Sequence, residues 1–166
     1  MSTASQSRRR FLQGKVAVLP PTRTRLPWVI NEGIFTDNCN QCGDCLSACD
    51  QKIILSDGDG FPYLSFNSAE CTFCKACVEV CQQLLFVNHK LRQPWLAELT
   101  IKDNCLARNH IYCQSCQDSC DQNAIKFKYL ESSIPVPVID NDLCNGCGAC
   151  ISVCPQKSTE LKLNYE

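Results

Sequence analysis

Short runs of alternating apolar and polar residues, broken by turn residues, set the pattern of this chain. Ile53, Ile54 and Leu55 lead into Asp57-Gly58-Asp59-Gly60, and Phe61-Pro62-Tyr63-Leu64-Ser65-Phe66 follows. A Gly/Asp turn between two β-prone runs predicts a short hairpin. Further along, Ile125, Phe127 and Tyr129 alternate with Lys126 and Lys128, so one strand face is apolar and the other wet. The segment from Ile134 to Ile139 returns as its partner, and Pro135 and Pro137 place that partner at a sheet edge. Leu161 and Leu163 supply a last strand. Cys77 and Cys81 are one helical turn apart, as are Cys150 and Cys154, which predicts a short helix carrying each fourth cysteine of a set. The fold class expected is α+β, built of short hairpins and short helices.

Such elements bury little. The aliphatic and aromatic residues between them are too few for a conventional core, so something else must fill the interior. The cysteines are the candidates. Sixteen of 166 residues are cysteine, and they fall into four sets. Cys39, Cys42, Cys45 and Cys49 form the first, and Cys71, Cys74, Cys77 and Cys81 the second. Cys144, Cys147, Cys150 and Cys154 form the fourth. These three share the spacing C-x2-C-x2-C-x3-C, the run that holds a 4Fe–4S cube in bacterial ferredoxins. The third set, Cys105, Cys113, Cys116 and Cys120, keeps the tail of that spacing and stretches its head. Disulfides and zinc are the rivals. No complete secretory signal points to an oxidising compartment. Zinc ribbons pair C-x2-C knuckles across a longer loop, which leaves a tight triplet with a fourth cysteine three residues on unexplained.

The spacing implies two tandem dicluster modules, with boundaries at 37–90 and 91–166 and a basic arm and tether over 1–36. Carried over from two-cluster ferredoxins, the fourth cysteine of each set crosses to the neighbouring cluster. That pattern groups Cys39, Cys42 and Cys45 with Cys81, and Cys71, Cys74 and Cys77 with Cys49. It groups Cys144, Cys147 and Cys150 with Cys120, and Cys105, Cys113 and Cys116 with Cys154. The third set leaves alternatives open. His110 stands where the regular register puts a first cysteine. Cys105 reaches in over a longer loop, or His110 is the ligand, or the site is labile or holds only three irons. Soft thiolate, the commoner iron–sulfur ligand, favours Cys105. Three clusters follow from the regular sets, and a fourth from the third. Without iron the chain is expected to be largely unfolded.

Proline follows only the last of the four fourth cysteines, as Pro155. Asn145-Gly146-Cys147-Gly148 gives its loop two glycines, which let backbone approach closely. Trp28 and Trp95 are expected to pack the tether and the joint between modules.

Net charge is −1 but uneven: residues 1–35 hold six basic side chains and one acid, Glu32. The remainder is acidic, which suits docking to a protein through charge better than binding nucleic acid. Ser7-Arg8-Arg9-Arg10-Phe11-Leu12-Gln13 looks like a twin-arginine export signature, but only Val16, Ala17, Val18 and Leu19 follow where a signal needs about seven to fifteen apolar residues. The arm is therefore expected to stay on the protein, with Arg8, Arg9 and Arg10 as docking residues. Residues 14–35 read as an irregular tether over the body. No apolar run approaches a membrane span. Neither a P-loop, a G-x-G-x-x-G nor an acid/base constellation is present, so an enzyme is not expected.

The basic arm, the Pro20-Pro21-x6-Trp28 tether, and the stretched Cys105-x7-Cys113-x2-Cys116-Gln-Asp-Ser-Cys120 set together resemble the NapF family, ferredoxin-type accessory proteins of periplasmic nitrate reductase. The resemblance covers nearly the whole chain. It implies a cytoplasmic 4Fe–4S protein that binds the catalytic subunit, NapA, in its precursor form and assists its maturation before export. It also carries the ligand role onto the twelve cysteines of the regular sets and onto Cys105, Cys113, Cys116 and Cys120. A plain electron carrier and a cluster-based redox sensor are the alternatives.

Overall fold

The computed structural model describes residues 23–130 and 133–165. The arginines at 8–10 and the apolar run at 16–19 lie outside them. Among the described residues, no helix is long and apolar enough to cross a membrane.

Among the described residues, three two-stranded antiparallel sheets form the frame. Strands β1 (Ile54–Ser56) and β2 (Pro62–Leu64) form the first hairpin. Its turn is closed by Asp57, whose carboxylate accepts from the N–H groups of Asp59 and Phe61 at 3.0 and 2.9 Å. β4 (Ile125–Lys128) and β5 (Val136–Ile139) form the second, with Ile125 opposite Ile139 and Phe127 opposite Pro137. Both hairpins lie where the alternation and turn residues predict them.

The third sheet has no local signal. β3 (Leu96–Ile101) pairs along its whole length with β6 (Thr159–Asn164), from Leu96 opposite Asn164 to Ile101 opposite Thr159. The last strand expected at Leu161 and Leu163 thus finds its partner in a segment for which the sequence reading gives no strand. Its counterpart in the first half of the chain is short. Val29 bridges Phe86, Ile30 N–H donates to Leu85 O, and Val87 N–H donates to Trp28 O.

Residues 23–36 are therefore not a tether lying over the body. Leu26, Trp28, Val29 and Phe35 are buried, and helix α1 (Glu32–Asn38) leads straight into Cys39. Asn31 caps that helix, its side chain accepting from Ile34 N–H at 2.8 Å. Buried Arg25 clamps the segment to the hairpin. It pairs with Glu32 at 2.7 Å and Asp57 at 3.6 Å, donates to Pro62 O, and lies over the rings of Phe35 and Phe61. The described part of the arm expected over 1–36 is built into the first module, because its apolar residues find a buried place there.

Four short helices complete the frame: α2 (Asp44–Ala48), α3 (Ala76–Glu79), α4 (Ser115–Asp118) and α5 (Ala149–Ser152), with a 3₁₀ turn over Ala107–Asn109. They correct the sequence reading in one respect. Each helix carries the third cysteine of a set, Cys45, Cys77, Cys116 or Cys150, and the fourth lies at or beyond its end. A shared helical face would point both sulfurs one way, whereas the two serve different cavities.

Candidate metal centres

Four cavities each gather four cysteines, and each gathering crosses between sets. Site 1 is lined by Cys39, Cys42, Cys45 and Cys81. Site 2 is lined by Cys49, Cys71, Cys74 and Cys77. Site 3 is lined by Cys105, Cys113, Cys116 and Cys154, and site 4 by Cys120, Cys144, Cys147 and Cys150. With their open mouths the cavities measure about 530, 430, 350 and 320 Å³ in that order. Among the described residues no three His, Cys, Asp or Glu side chains converge closely enough for a single ion. The sulfurs instead ring a volume, as the corners of a multi-iron cube require.

The backbone makes these rings by turning tightly. In each regular set the residue before the second cysteine is left-handed: Gln41 at φ 60°, Phe73 at 54° and Gly146 at 74°. The residue after it is too: Gly43 at 81°, Lys75 at 69° and Gly148 at 84°. Only two of these three pairs include glycine, so at Gln41, Phe73 and Lys75 the surrounding fold imposes a costly backbone. The third set does not repeat this. Its corresponding residue after Cys113 is Gln114, at φ −134°. Cys105 instead starts a compact knot. Its N–H donates to Lys102 O, and its carbonyl accepts from both the backbone and side-chain N–H of Asn109. This knot buries Cys105 and turns it to site 3. His110 ends the 3₁₀ turn at φ 60°, exposed, and is not among the residues lining site 3.

Burial decides the state of the sulfurs. It pushes the thiols of Cys77 and Cys150 up to about 12, and those of Cys45, Cys71 and Cys116 up to about 11. Neighbouring thiolates add to this within each ring: Cys39, Cys42 and Cys81 act on Cys45, and Cys105, Cys113 and Cys154 act on Cys116. Four ionised sulfurs cannot share such a cavity without cations between them. Cys154 is the exception. Burial pushes its thiol up, but hydrogen bonds from the Ser158 hydroxyl and backbone outweigh that and hold it below its usual value. Ser158 is itself buried, with Oγ at 3.2 Å and N at 3.3 Å from Cys154 Sγ.

The model for 4Fe–4S dicluster domains matches residues 38–83 and 111–158. The ferredoxin-type protein NapF of Escherichia coli K12 is 40% identical over 131 residues, 79% of each chain. The ferredoxin-type protein NapF of Haemophilus influenzae is 38% identical over 164 residues, 93% of each chain. The chain belongs to the NapF family. More distantly, the ferredoxin-type protein NapG of Escherichia coli K12 is 27% identical over 174 residues, 92% of this chain and 74% of that one. As a NapF-family member, the protein carries 4Fe–4S clusters in repeated dicluster units on an α+β frame. Its cavities fit that group: each brings together four cysteine sulfurs, the donor set a 4Fe–4S cube takes. The second dicluster match begins at residue 111, so Cys105 lies outside it. Only the geometry of the knot brings that residue to site 3.

Glycine is obligatory at position 146 in the site 4 loop. A Cβ at Gly146 would overlap Trp95 Nε1 and approach Leu163 and Ala97 to 2.8 and 2.9 Å. Gly146→Ala is expected to cost roughly 1–2 kcal/mol for a left-handed non-glycine residue, and about 1–3 kcal/mol more for overpacking. Anaerobic denaturant titration, followed by the visible absorbance of the clusters, measures it as a lower midpoint.

Proposed function

We propose that this protein serves periplasmic nitrate reductase. It binds the catalytic subunit, NapA, in its cytoplasmic precursor form and assists its maturation before export, by supplying electrons or iron–sulfur chemistry. It acts as an accessory protein with no catalytic reaction of its own. The near full-length kinship with NapF proteins carries this reading, and the four all-cysteine cavities support it. In it, sites 1 to 4 each hold one 4Fe–4S cluster, ligated by the four cysteines that line the site. A bound cluster supplies reversible one-electron chemistry. The chain's own part is to hold, insulate and tune. Helices α2 to α5 aim one sulfur each, the left-handed loops bring backbone close, and Phe35, Leu26 and Phe86 keep water from the back of site 1. The basic arm, with Arg8, Arg9 and Arg10, provides docking charge.

Tuning is most visible at site 3. With iron bound, Cys154 is a thiolate, so both the hydroxyl and the N–H of Ser158 donate to it. Hydrogen bonds to a ligand sulfur stabilise the more negative, reduced state and raise the potential. Ser158→Ala is expected to lower the potential of one cluster and leave the others in place. Redox titration followed by electron paramagnetic resonance reads that shift.

The function itself is tested by capture. Tagged protein, purified anaerobically, is expected to bring down unexported NapA precursor, and its deletion to leave NapA poor in iron. A general electron carrier is the second reading, favoured by Cys42 and Cys74, which are exposed at the rims of sites 1 and 2. That reading stands if no precursor is captured while a soluble acceptor is reduced rapidly.

A further inference from the structure

We propose that the four sites form one linear relay in the order site 1, site 2, site 4, site 3, and that electrons cross between the modules at a joint made by the Cys71 and Cys147 loops. The proposal rests on the reading that each site holds a cluster.

Within a module the order follows from shared helices. α2 sends Cys45 to site 1 and ends at Cys49, which lines site 2. α5 sends Cys150 to site 4, and Cys154 just beyond it lines site 3. One turn of backbone separates the two sites of each pair.

Between modules the order is less obvious, because the third set follows the second in sequence. The fold places the fourth set against the second instead. Cys71 N–H donates to Cys147 O at 2.8 Å, tying a site 2 ligand to a site 4 ligand through one hydrogen bond. Around this bond the contact is apolar and tight. A Cβ at Gly148 in the site 4 loop would overlap the ring of Phe66 from the first module. Phe73 in the site 2 loop meets Trp95 edge-on at 5.7 Å, and Trp95 Nε1 donates to Asn145 O in the site 4 loop at 3.0 Å.

Tunnelling falls exponentially with distance, so adjacency sets the path. Each transfer is a one-electron exchange: one site is oxidised by one unit and its neighbour reduced by one, with no proton or atom moved. A one-electron reductant feeds one end and a one-electron oxidant drains the other. Both end sites reach the surface, as site 2 also does at Cys74. Cys42 is exposed at site 1, and Ile111 and Tyr112, 54% and 65% exposed, immediately precede Cys113 at site 3.

The test uses the full chain, loaded anaerobically, with iron analysis beside electron paramagnetic resonance of the fully reduced protein. Wild type should hold about sixteen irons, four per site, and show spin coupling between modules. A wild-type count well below that overturns the ligand reading, and the relay with it. With the count met, Cys105→Ala, which empties site 3, should keep the inter-module coupling, and Cys147→Ala, which empties site 4, should abolish it. The reverse pattern overturns the relay while leaving the cluster reading intact. Should Cys147→Ala shed more than the iron of its own site, Phe66→Ala decides, since it keeps every cysteine. Inter-module coupling weakened with intra-module coupling kept supports the joint, and unchanged coupling overturns it.

Discussion

Chelating the iron is expected to abolish cooperative melting and leave a largely unfolded chain. No element of the frame stands alone. Helices α2 to α5 are four or five residues long, and the longest strand pair is six. Isolated helices below about 12–15 residues are marginal in water, and so are isolated hairpins. What holds them is the interior, where the buried positions include Cys49, Cys77, Cys105, Cys116 and Cys150. With the clusters gone, these thiols border cavities of 320–530 Å³ counted with their mouths. The same burial ties occupancy to acidity. Each sulfur must lose its proton for iron to bind, so acid competes with the clusters and loading weakens as pH falls. Calorimetry and amide hydrogen exchange on chelated protein check the prediction. A native-like, cooperative melt without iron would show that the aliphatic residues suffice.

Cys105→Ala is expected to remove one whole cluster, taking iron from about sixteen to about twelve per chain at four irons per cube. His110→Ala is expected to leave it unchanged. The two residues compete for one role in the sequence but not in the fold. Cys105 is 7% exposed and lines site 3 with Cys113, Cys116 and Cys154. The loop that carries His110 closes on itself before it reaches the site: Ile111 N–H donates to Leu106 O, and His110 N–H donates to Ala107 O. The five extra residues between the first and second cysteines are spent in that turn. Imidazole ligation raises a cluster potential, so the opposite outcome has its own signature, namely iron loss and a lowered potential in His110→Ala with Cys105→Ala silent.

Local chemistry was legible in the sequence. The cysteine sets, the Asp57–Gly60 turn and the Lys126/Lys128 alternation each announce themselves within ten residues, and the structure places a site or a hairpin at each. What escaped was non-local. β3 and β6 pair across more than fifty residues, and neither Leu96-Ala97-Glu98 nor Thr159-Glu160 carries a mark of the other. Val29 and Phe86 are a similar case, so a buried strand-like segment read as tether. The left-handed backbone at Phe73 and Lys75 was equally hidden, since the residue type there does not favour it and only closure around a site demands it. The packing of Trp28 and Trp95 was foreseen in kind. Trp28 Nε1 donates to Arg92 O and its ring meets Phe73, while Trp95 sits at the joint. The partner of each loop across the joint could not be read from one chain's order, because that order runs 1, 2, 3, 4 and the contact skips a set.

Tyr165 gives the two ends of the described chain a common fate. Its hydroxyl donates to Arg25 O at 2.7 Å, across 140 positions, and its ring meets Trp95 edge-on. During synthesis, residues 24–87 leave the ribosome long before Tyr165 does, at about 5–20 residues per second. The first two cavities can therefore close while the second pair is still being translated. Only when Tyr165 emerges is the Arg25 segment latched from outside. A chain cut short between residues 155 and 164 keeps every cysteine but loses that lock.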